Sequence, residues 1–344
     1  MQHRSLGRTG VSVSHLSLGA MMFGAWGNPD HDASVRIVHR ALDAGINLID
    51  TADAYSGGES EEIIGKAVKG RRDDVVLATK VFMPMGEDPN RRGTSRRWIT
   101  RAVEDSLRRL GTDWIDLYQV HRLDPATDVD ETLGALSDLV RAGKVRAIGA
   151  SSVAPSEIVE AQWTAERRGR ERFRTEQPPY NMLTRAVEHD VLPTCLRHGM
   201  GVLVYSPLAG GWLSGKYRTG RDVAGPGSAA RRQRFAAALD PALPANAAKL
   251  AAADALWALA DEAGLTPVQL AIAFVTRHPA VTSAIVGPRT MEHLDSYLAA
   301  DGVELSADVL DRIDEIVPPG HTVNVADNGW ATSTTALGAA ARRR

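Results

Sequence analysis

The sequence predicts an α/β protein closed into a (β/α)8 TIM barrel, with an N-terminal β-hairpin and a long loop plus an extra helix after the seventh strand. Three observations carry that expectation. Short continuous apolar runs alternate with amphipathic stretches, as in parallel strands covered by helices on both faces. Counting along this alternation gives eight candidate strands, the number that closes this kind of barrel. No G-x-G-x-x-G follows an early run, which the rival doubly wound sheet would usually have.

In chain order, the predicted strands are His15–Met21, Asn47–Thr51, Val75–Val81, Ile115–Val120, Val145–Ser151, Arg174–Gln177, Gly201–Ser206 and Thr282–Val286. Helices are expected at Ala33–Ala44, Ser60–Val68, Arg97–Leu110, Glu131–Arg141, Pro155–Arg168 and Val191–His198. In Glu131–Arg141 the spacing of Leu133, Leu136, Leu139 and Val140 gathers them on one helical face. Arg4–Val13, with Gly7 and Gly10 in its turn, reads as a hairpin placed to cover the barrel floor. Lys216–Asn246 reads as a long loop, rich in Gly, Pro, Ala and Arg. Two helices then follow, Ala247–Ala263 and Pro267–Arg277, the second with Thr266 as cap and Pro267 as first residue. Residues 1–330 are expected to form a single barrel domain and 331–344 a disordered tail.

Composition excludes more than it selects. The 344 residues carry 40 Lys+Arg against 42 Asp+Glu, a formal charge of −2, so nothing calls for a nucleic-acid or acidic-membrane partner. Cys195, the only cysteine, excludes an intrachain disulfide framework and fits a reducing compartment. The polar start lacks the apolar core of a signal peptide, and no run of 18 apolar residues occurs. A cytoplasmic protein is expected; oligomeric state stays open. The histidines other than His121 show no metal-ligand spacing, so no metal is expected.

A barrel builds its active site at the C-terminal ends of its strands. There the sequence places Asp50, Tyr55, Lys80 and His121, from three adjacent strands. Singly, an Asp cap, a loop Tyr and a capping His explain themselves. Lys80 does not. It ends the run Val-Val-Leu-Ala-Thr in a chain with only six lysines, and a buried ammonium needs a partner, which Asp50 can supply. Together the four suit carbonyl reduction. A phenol with a pKa of about 10 needs a nearby cation to act as an acid at neutral pH. Lys80 supplies it, Asp50 holds Lys80, His121 orients the substrate oxygen and Tyr55 donates the proton.

The segments around these residues resemble the aldo-keto reductase signature: Asn47-Leu-Ile-Asp-Thr-Ala-Asp-Ala-Tyr55 followed by Gly58-Glu-Ser-Glu-Glu-Ile-Ile-Gly65. Leu77-Ala-Thr-Lys80, Asp116-Leu-Tyr-Gln-Val-His121, Gly143-Lys-Val-Arg-Ala-Ile-Gly149, Tyr205-Ser-Pro-Leu208 and Ile285-Val-Gly-Pro-Arg289 match later motifs in order. The resemblance runs from about Arg4 to about Val317 and implies NADPH as cofactor, with NADH open as an alternative. It implies the same four residues as catalytic tetrad. It places Ser151, Ser152 and Gln177 at the nicotinamide carboxamide, with Ser152 where the family more often has Asn. Tyr205 would stack on the ring; Ser206, Leu208, Gly210 and Lys216 would wrap the pyrophosphate; Arg289 would pair with the 2′-phosphate. Met21, Asp50, Gly287, His293 and Tyr297 complete the implied cofactor wall, the last two standing where the family has Gln and Asn. A small-molecule carbonyl is the implied substrate, with Trp26, Tyr55, His121 and Trp212 as its pocket; Trp330 is a further overhanging candidate.

Two other functions stay in view. Ser206-Pro-Leu-Ala209 and Ser214-Gly-Lys-Tyr217 also look like the potassium-channel β-subunit branch, which implies a cofactor-binding regulatory subunit or redox sensor with little turnover. Those subunits differ at the histidine that is retained here as His121. Gly210-Gly-Trp-Leu-Ser-Gly-Lys216 fits a phosphate loop, but Tyr217 stands where such a loop needs Ser or Thr for Mg²⁺. The cluster Arg231-Arg232-Gln-Arg234 reads as a solvated face.

Overall fold

A computed structural model describes residues 1–217 and 236–329. The hairpin pairs β1 (His3–Ser5) with β2 (Ser12–Ser14), antiparallel. Eight parallel strands follow: β3 (Leu16–Gly19), β4 (Leu48–Asp50), β5 (Val76–Val81), β6 (Ile115–Val120), β7 (Val145–Ser151), β8 (Phe173–Gln177), β9 (Gly201–Val204) and β10 (Ser283–Val286). They neighbour one another in chain order, and β10 pairs with both β9 and β3, which closes the barrel.

The helices are α1 (His31–Asp43), α2 (Glu59–Val68), α3 (Arg96–Leu110), α4 (Val129–Arg141), α5 (Pro155–Arg168) and α6 (Val191–His198). Beyond β9 come α7 (Ala236–Leu239), α8 (Ala247–Glu262) and α9 (Pro267–Arg277), and beyond β10 come α10 (Met291–Leu298) and α11 (Ala307–Ile316). The expected barrel, hairpin and extra helix are all present. Helices α1 and α3 start earlier than the periodicity indicates, because Asp30 and Ser95 accept the free amides of Ala33 and Trp98. Thr266 and Gln269 form the capping box that opens α9. The seventh barrel strand is shorter than expected: Ser206 takes φ 56 and turns the chain out of the sheet.

Alternation along the strands sorts side chains into an outer shell and a barrel interior. Leu48, Ala78, Leu117 and Leu203 share the interior with Leu6 and Val13 of the hairpin, which closes the floor as expected. Two residues further along the same strands the inward positions become polar: Asp50, Lys80, Gln119 and Tyr205. The interior is thus apolar at the bottom and chemical at the top. Space there is tight. A Cβ at Gly149 would lie 2.1 Å from Thr175 Oγ1 and 3.2 Å from Gln119 Cγ, so the β7 backbone can approach its neighbours only as glycine.

Among the described residues no single helix is long and apolar enough to cross a membrane. The tail 331–344, Trp330, the Arg231–Arg234 cluster and most of the long loop lie outside the described residues.

Candidate active site

The register of the sheet brings the four rim residues together. Asp50 sits opposite Ala78, one pleat below Lys80, and Lys80 sits opposite Gln119. The Lys80 Nζ donates to Asp50 Oδ1, to the Thr51 carbonyl at 2.9 Å and to Tyr55 OH at 3.2 Å. All three ammonium protons are therefore satisfied inside the barrel, where Lys80 is 0% exposed. The second Asp50 oxygen accepts from Gln177 Nε2 at 2.8 Å and from Gln119 Nε2 at 3.3 Å. Gln119 was not singled out from the sequence. Its signal is its position two residues before His121 on the inward side of β6, where an amide in an apolar strand needs a partner.

Tyr55 arrives through a turn that begins after β4. Its amide bonds the Ala52 carbonyl at 3.2 Å, and the next three residues all carry positive φ. The loop after β3 is stitched to that turn. Ser56 Oγ donates to the Phe23 carbonyl and accepts from the Trp26 amide, and Glu59 accepts from the Ala25 amide at 2.7 Å. Trp26 is thereby set 6.0 Å from the Tyr55 ring, and the His121 ring meets Tyr55 edge-on at 5.8 Å.

Burial pushes the Tyr55 phenol above its ordinary pKa, and Lys80 opposes that rise without overcoming it. The expected net lowering by Lys80 is therefore corrected, because the cost of desolvating a phenolate exceeds the attraction to one ammonium. For Lys80 burial pulls the pKa down, but Asp50 and Tyr55 together more than restore it, so the ammonium is held charged. Burial, then the charges of Lys80 and Arg122, keep His121 well below its ordinary value, hence neutral. Its Nδ1 is buried without a hydrogen-bond partner.

These residues floor a cleft of about 1020 Å³. Met21, Trp26, Asp50, Tyr55, His121, Ser151, Gln177 and Tyr205 are among the residues that line it. Ser206, Leu208, Gly210, Lys216, Gly287, Arg289, His293 and Tyr297 line the same cleft. Gly211 (φ 105) allows Lys216 to fold back over it, where a Cβ would lie 2.6 Å from Nζ. Arg289 is placed by the Asn28 amide, which donates to its carbonyl at 3.0 Å, just before Thr290 caps α10.

Two expected positions are corrected. Trp212 does not line the pocket. Left-handed Gly210 and Gly211 turn it inward, where it is 0% exposed, donates from Nε1 to the Ala238 carbonyl at 2.9 Å and stacks 4.5 Å from Tyr217. Ser152 is buried and is not among the residues that line the cleft, and its Oγ meets Tyr205 OH at 3.2 Å, so it stands against the aromatic that does line it. Lys249, also missed, is buried above Trp212, pairs with Asp327 at 2.7 Å and bonds the Ala238 carbonyl at 3.0 Å.

Behind the quartet lies a second buried polar group unmarked by the sequence reading. Glu61 accepts from Thr79 Oγ1 and pairs with Arg109, both at 2.6 Å, with Asp53 buried beside them. Burial, then the Glu61 charge, hold the Asp53 carboxyl well above the ordinary range. Such a group favours folding in its protonated form, so it weakens stability as pH rises past the ordinary aspartate value of about 3.9. Asp53→Asn should therefore raise Tm more at pH 8 than at pH 5 by calorimetry. An equal gain at both, or a loss growing with pH, removes this assignment.

With that geometry in place, comparison with known proteins is direct. The model of the aldo/keto reductase family matches residues 15–318. This chain belongs to the aldo/keto reductase family. Its relatives include a Bacillus subtilis protein named uncharacterized oxidoreductase YrpG, 40% identical over 93% of this chain and 97% of the relative. A probable voltage-gated potassium channel subunit beta from Arabidopsis thaliana is 35% identical over 92% of this chain and 97% of its own. The versiconal hemiacetal acetate reductase of Aspergillus parasiticus is 34% identical over 93% and 98%. Membership of the aldo/keto reductases makes an oxidoreductase with a nicotinamide cofactor the coarse functional assignment.

Proposed function

We propose that the protein is an NADPH-dependent reductase of aldehydes or ketones, with Tyr55 as general acid. The observation that carries this is the Lys80 ammonium, held by Asp50 and placed 3.2 Å from Tyr55 OH, beside a neutral His121 with a free ring nitrogen. The residues present fit the cofactor. Tyr205 offers a flat face, Gln177 and Ser151 offer polar contacts in the cleft, and Lys216 and Arg289 supply positive charge.

A reduced nicotinamide, when bound, supplies the hydride. The chain's own residues do the rest. His121 and Tyr55 receive the carbonyl oxygen, and Tyr55 releases its proton to it as negative charge develops there. Lys80 then faces a tyrosinate, a state its charge stabilises most when the phenol has ionised. Trp26 lines the cleft with its ring 6.0 Å from that of Tyr55.

A panel of carbonyls assayed with NADPH and NADH separately tests the reading; oxidation of neither cofactor with any carbonyl ends it. Arg289→Ala is expected to raise the KM for NADPH about tenfold or more while the KM for NADH moves less than about threefold, the difference being one charge-assisted phosphate contact. Equal effects on both would remove Arg289 from the 2′-phosphate. The second reading, a cofactor-binding regulatory subunit, is favoured by the relatives named as channel subunits. Tight NADP⁺ binding without turnover would support it.

A further inference from the structure

Beside the quartet the charges do not cancel. Lys80 and Asp50 neutralise each other on the floor, and His121 is uncharged. Lys216 and Arg289 line the cleft too, and the proposed function assigns them to the cofactor phosphates. Arg122, next in the chain after His121, lines the same cleft and is half-buried.

Its guanidinium donates from Nη1 to the His121 carbonyl at 2.7 Å, which fixes it at the rim. Of its five N–H donors this is the one hydrogen bond seen among the described residues, and no carboxylate there pairs with it. Glu176 is the nearby acid whose field Arg122 feels, but it is buried in β8 with Oε1 accepting from the Val153 amide at 3.0 Å. Burial pushes its carboxyl up to about 8, so at neutral pH it leaves Arg122 uncompensated. The cleft that Arg122 lines is also lined by the apolar side chains of Met22, Trp26, Met83 and Met85. A planar donor fork beside His121, in a cleft that also offers apolar side chains, is matched by a molecule that joins an apolar body to a carboxylate.

We propose that Arg122 determines specificity, and that the cleft takes carbonyl substrates joining an apolar, preferably aromatic, body to a carboxylate that the guanidinium receives. This rests on the reductase reading above. The reaction is unchanged: hydride reaches the carbonyl carbon, Tyr55 protonates the oxygen, and the carboxylate stays intact.

The test uses two aldehydes that share a ring and differ in charge, 4-carboxybenzaldehyde and methyl 4-formylbenzoate, with NADPH and the full chain. The ester is the more electrophilic aldehyde, so a preference for the carboxylate cannot come from the ring. We expect kcat/KM to favour the carboxylate about tenfold or more, the range of one charge-assisted hydrogen-bonded pair, and the ratio to shrink as salt rises. Arg122→Met should bring the ratio to within about twofold of one through KM, and Arg122→Lys should restore part of it. Loss of the bond to the His121 carbonyl affects both aldehydes and cancels in the ratio. Binding supplies a second readout: benzoate titrated onto the NADP⁺-saturated protein, followed by tryptophan fluorescence, should weaken about tenfold in Arg122→Met, while benzamide does not. A wild-type ratio near one, or a ratio indifferent to Arg122→Met, overturns the proposal and leaves the reductase reading standing. Reduction of neither aldehyde, with a normal NADPH fluorescence titration and turnover of other carbonyls, overturns the proposal alone; no turnover of any carbonyl overturns both.

Discussion

Tyr55→Phe should lower kcat for carbonyl reduction by about 10³-fold while NADPH still binds with near wild-type affinity. The size follows from removing a positioned proton donor, an effect of about 10² to 10⁴. The change deletes one oxygen that Lys80 reaches at 3.2 Å and leaves the ring in its contacts with Trp26 and His121. Single-turnover kinetics on preloaded protein separates chemistry from binding. Retention of more than about a tenth of the wild-type rate would move the acid elsewhere. The pH profile gives an independent check. With the Tyr55 phenol raised by burial and His121 held neutral, the rate of reduction should be level from about pH 6 to 9 and decline only as the phenol ionises in more alkaline solution. A descending limb near pH 6.5 would mean that His121 titrates and orients the substrate in its charged form.

Lys80→Met should cost about 3 to 5 kcal/mol of stability and abolish activity together. The substitution leaves the Asp50 carboxyl without its ammonium in the barrel interior, with only two amides on one oxygen, the situation in which breaking a buried ion pair is most damaging. Asp50→Asn should be similarly costly, since it strands the Lys80 ammonium. The double substitution removes both charges and should recover a large part of the loss, a coupling that two unrelated defects would not show. Urea unfolding of the four proteins measures it. Single-variant losses below about 1 kcal/mol, or simple additivity in the double variant, would show that the pair does not hold the site.

Much of this site was legible because strands impose a period of two. Once Leu48, Ala78 and Leu117 are taken as interior, Asp50, Lys80 and Gln119 must follow on the same face, at the end where a barrel opens. Lys80 also betrayed itself by rarity, one of six lysines at the end of an apolar run. The family resemblance placed Lys216, which does line the cleft, but nothing in the sequence reading marked Lys249. That residue lies in a helix whose alanine-rich sequence has almost no polar face, so nothing local marks the one side that is buried against Trp212 and Asp327. Trp212 was misplaced for a related reason. A loop tryptophan is as free to overhang as to tuck inward, and the direction was set by two successive left-handed glycines.

By itself, then, the sequence determined the order of the eight strands and of the helices up to Arg277, the closed barrel, the hairpin under its floor and the four side chains at its rim. The helices Ala236–Leu239, Met291–Leu298 and Ala307–Ile316 were not read from it. The features that were read depend on local periodicity and on strand ends, which every residue of a strand repeats. The tertiary structure alone decided how far Lys80 stands from Tyr55, that Gln119 and Gln177 share one oxygen of Asp50, that Tyr55 is raised instead of lowered, and that Arg122 keeps an uncompensated charge beside His121. Each of those is a balance between desolvation and partners drawn from different strands, and it exists only after the barrel has closed and excluded water from its mouth.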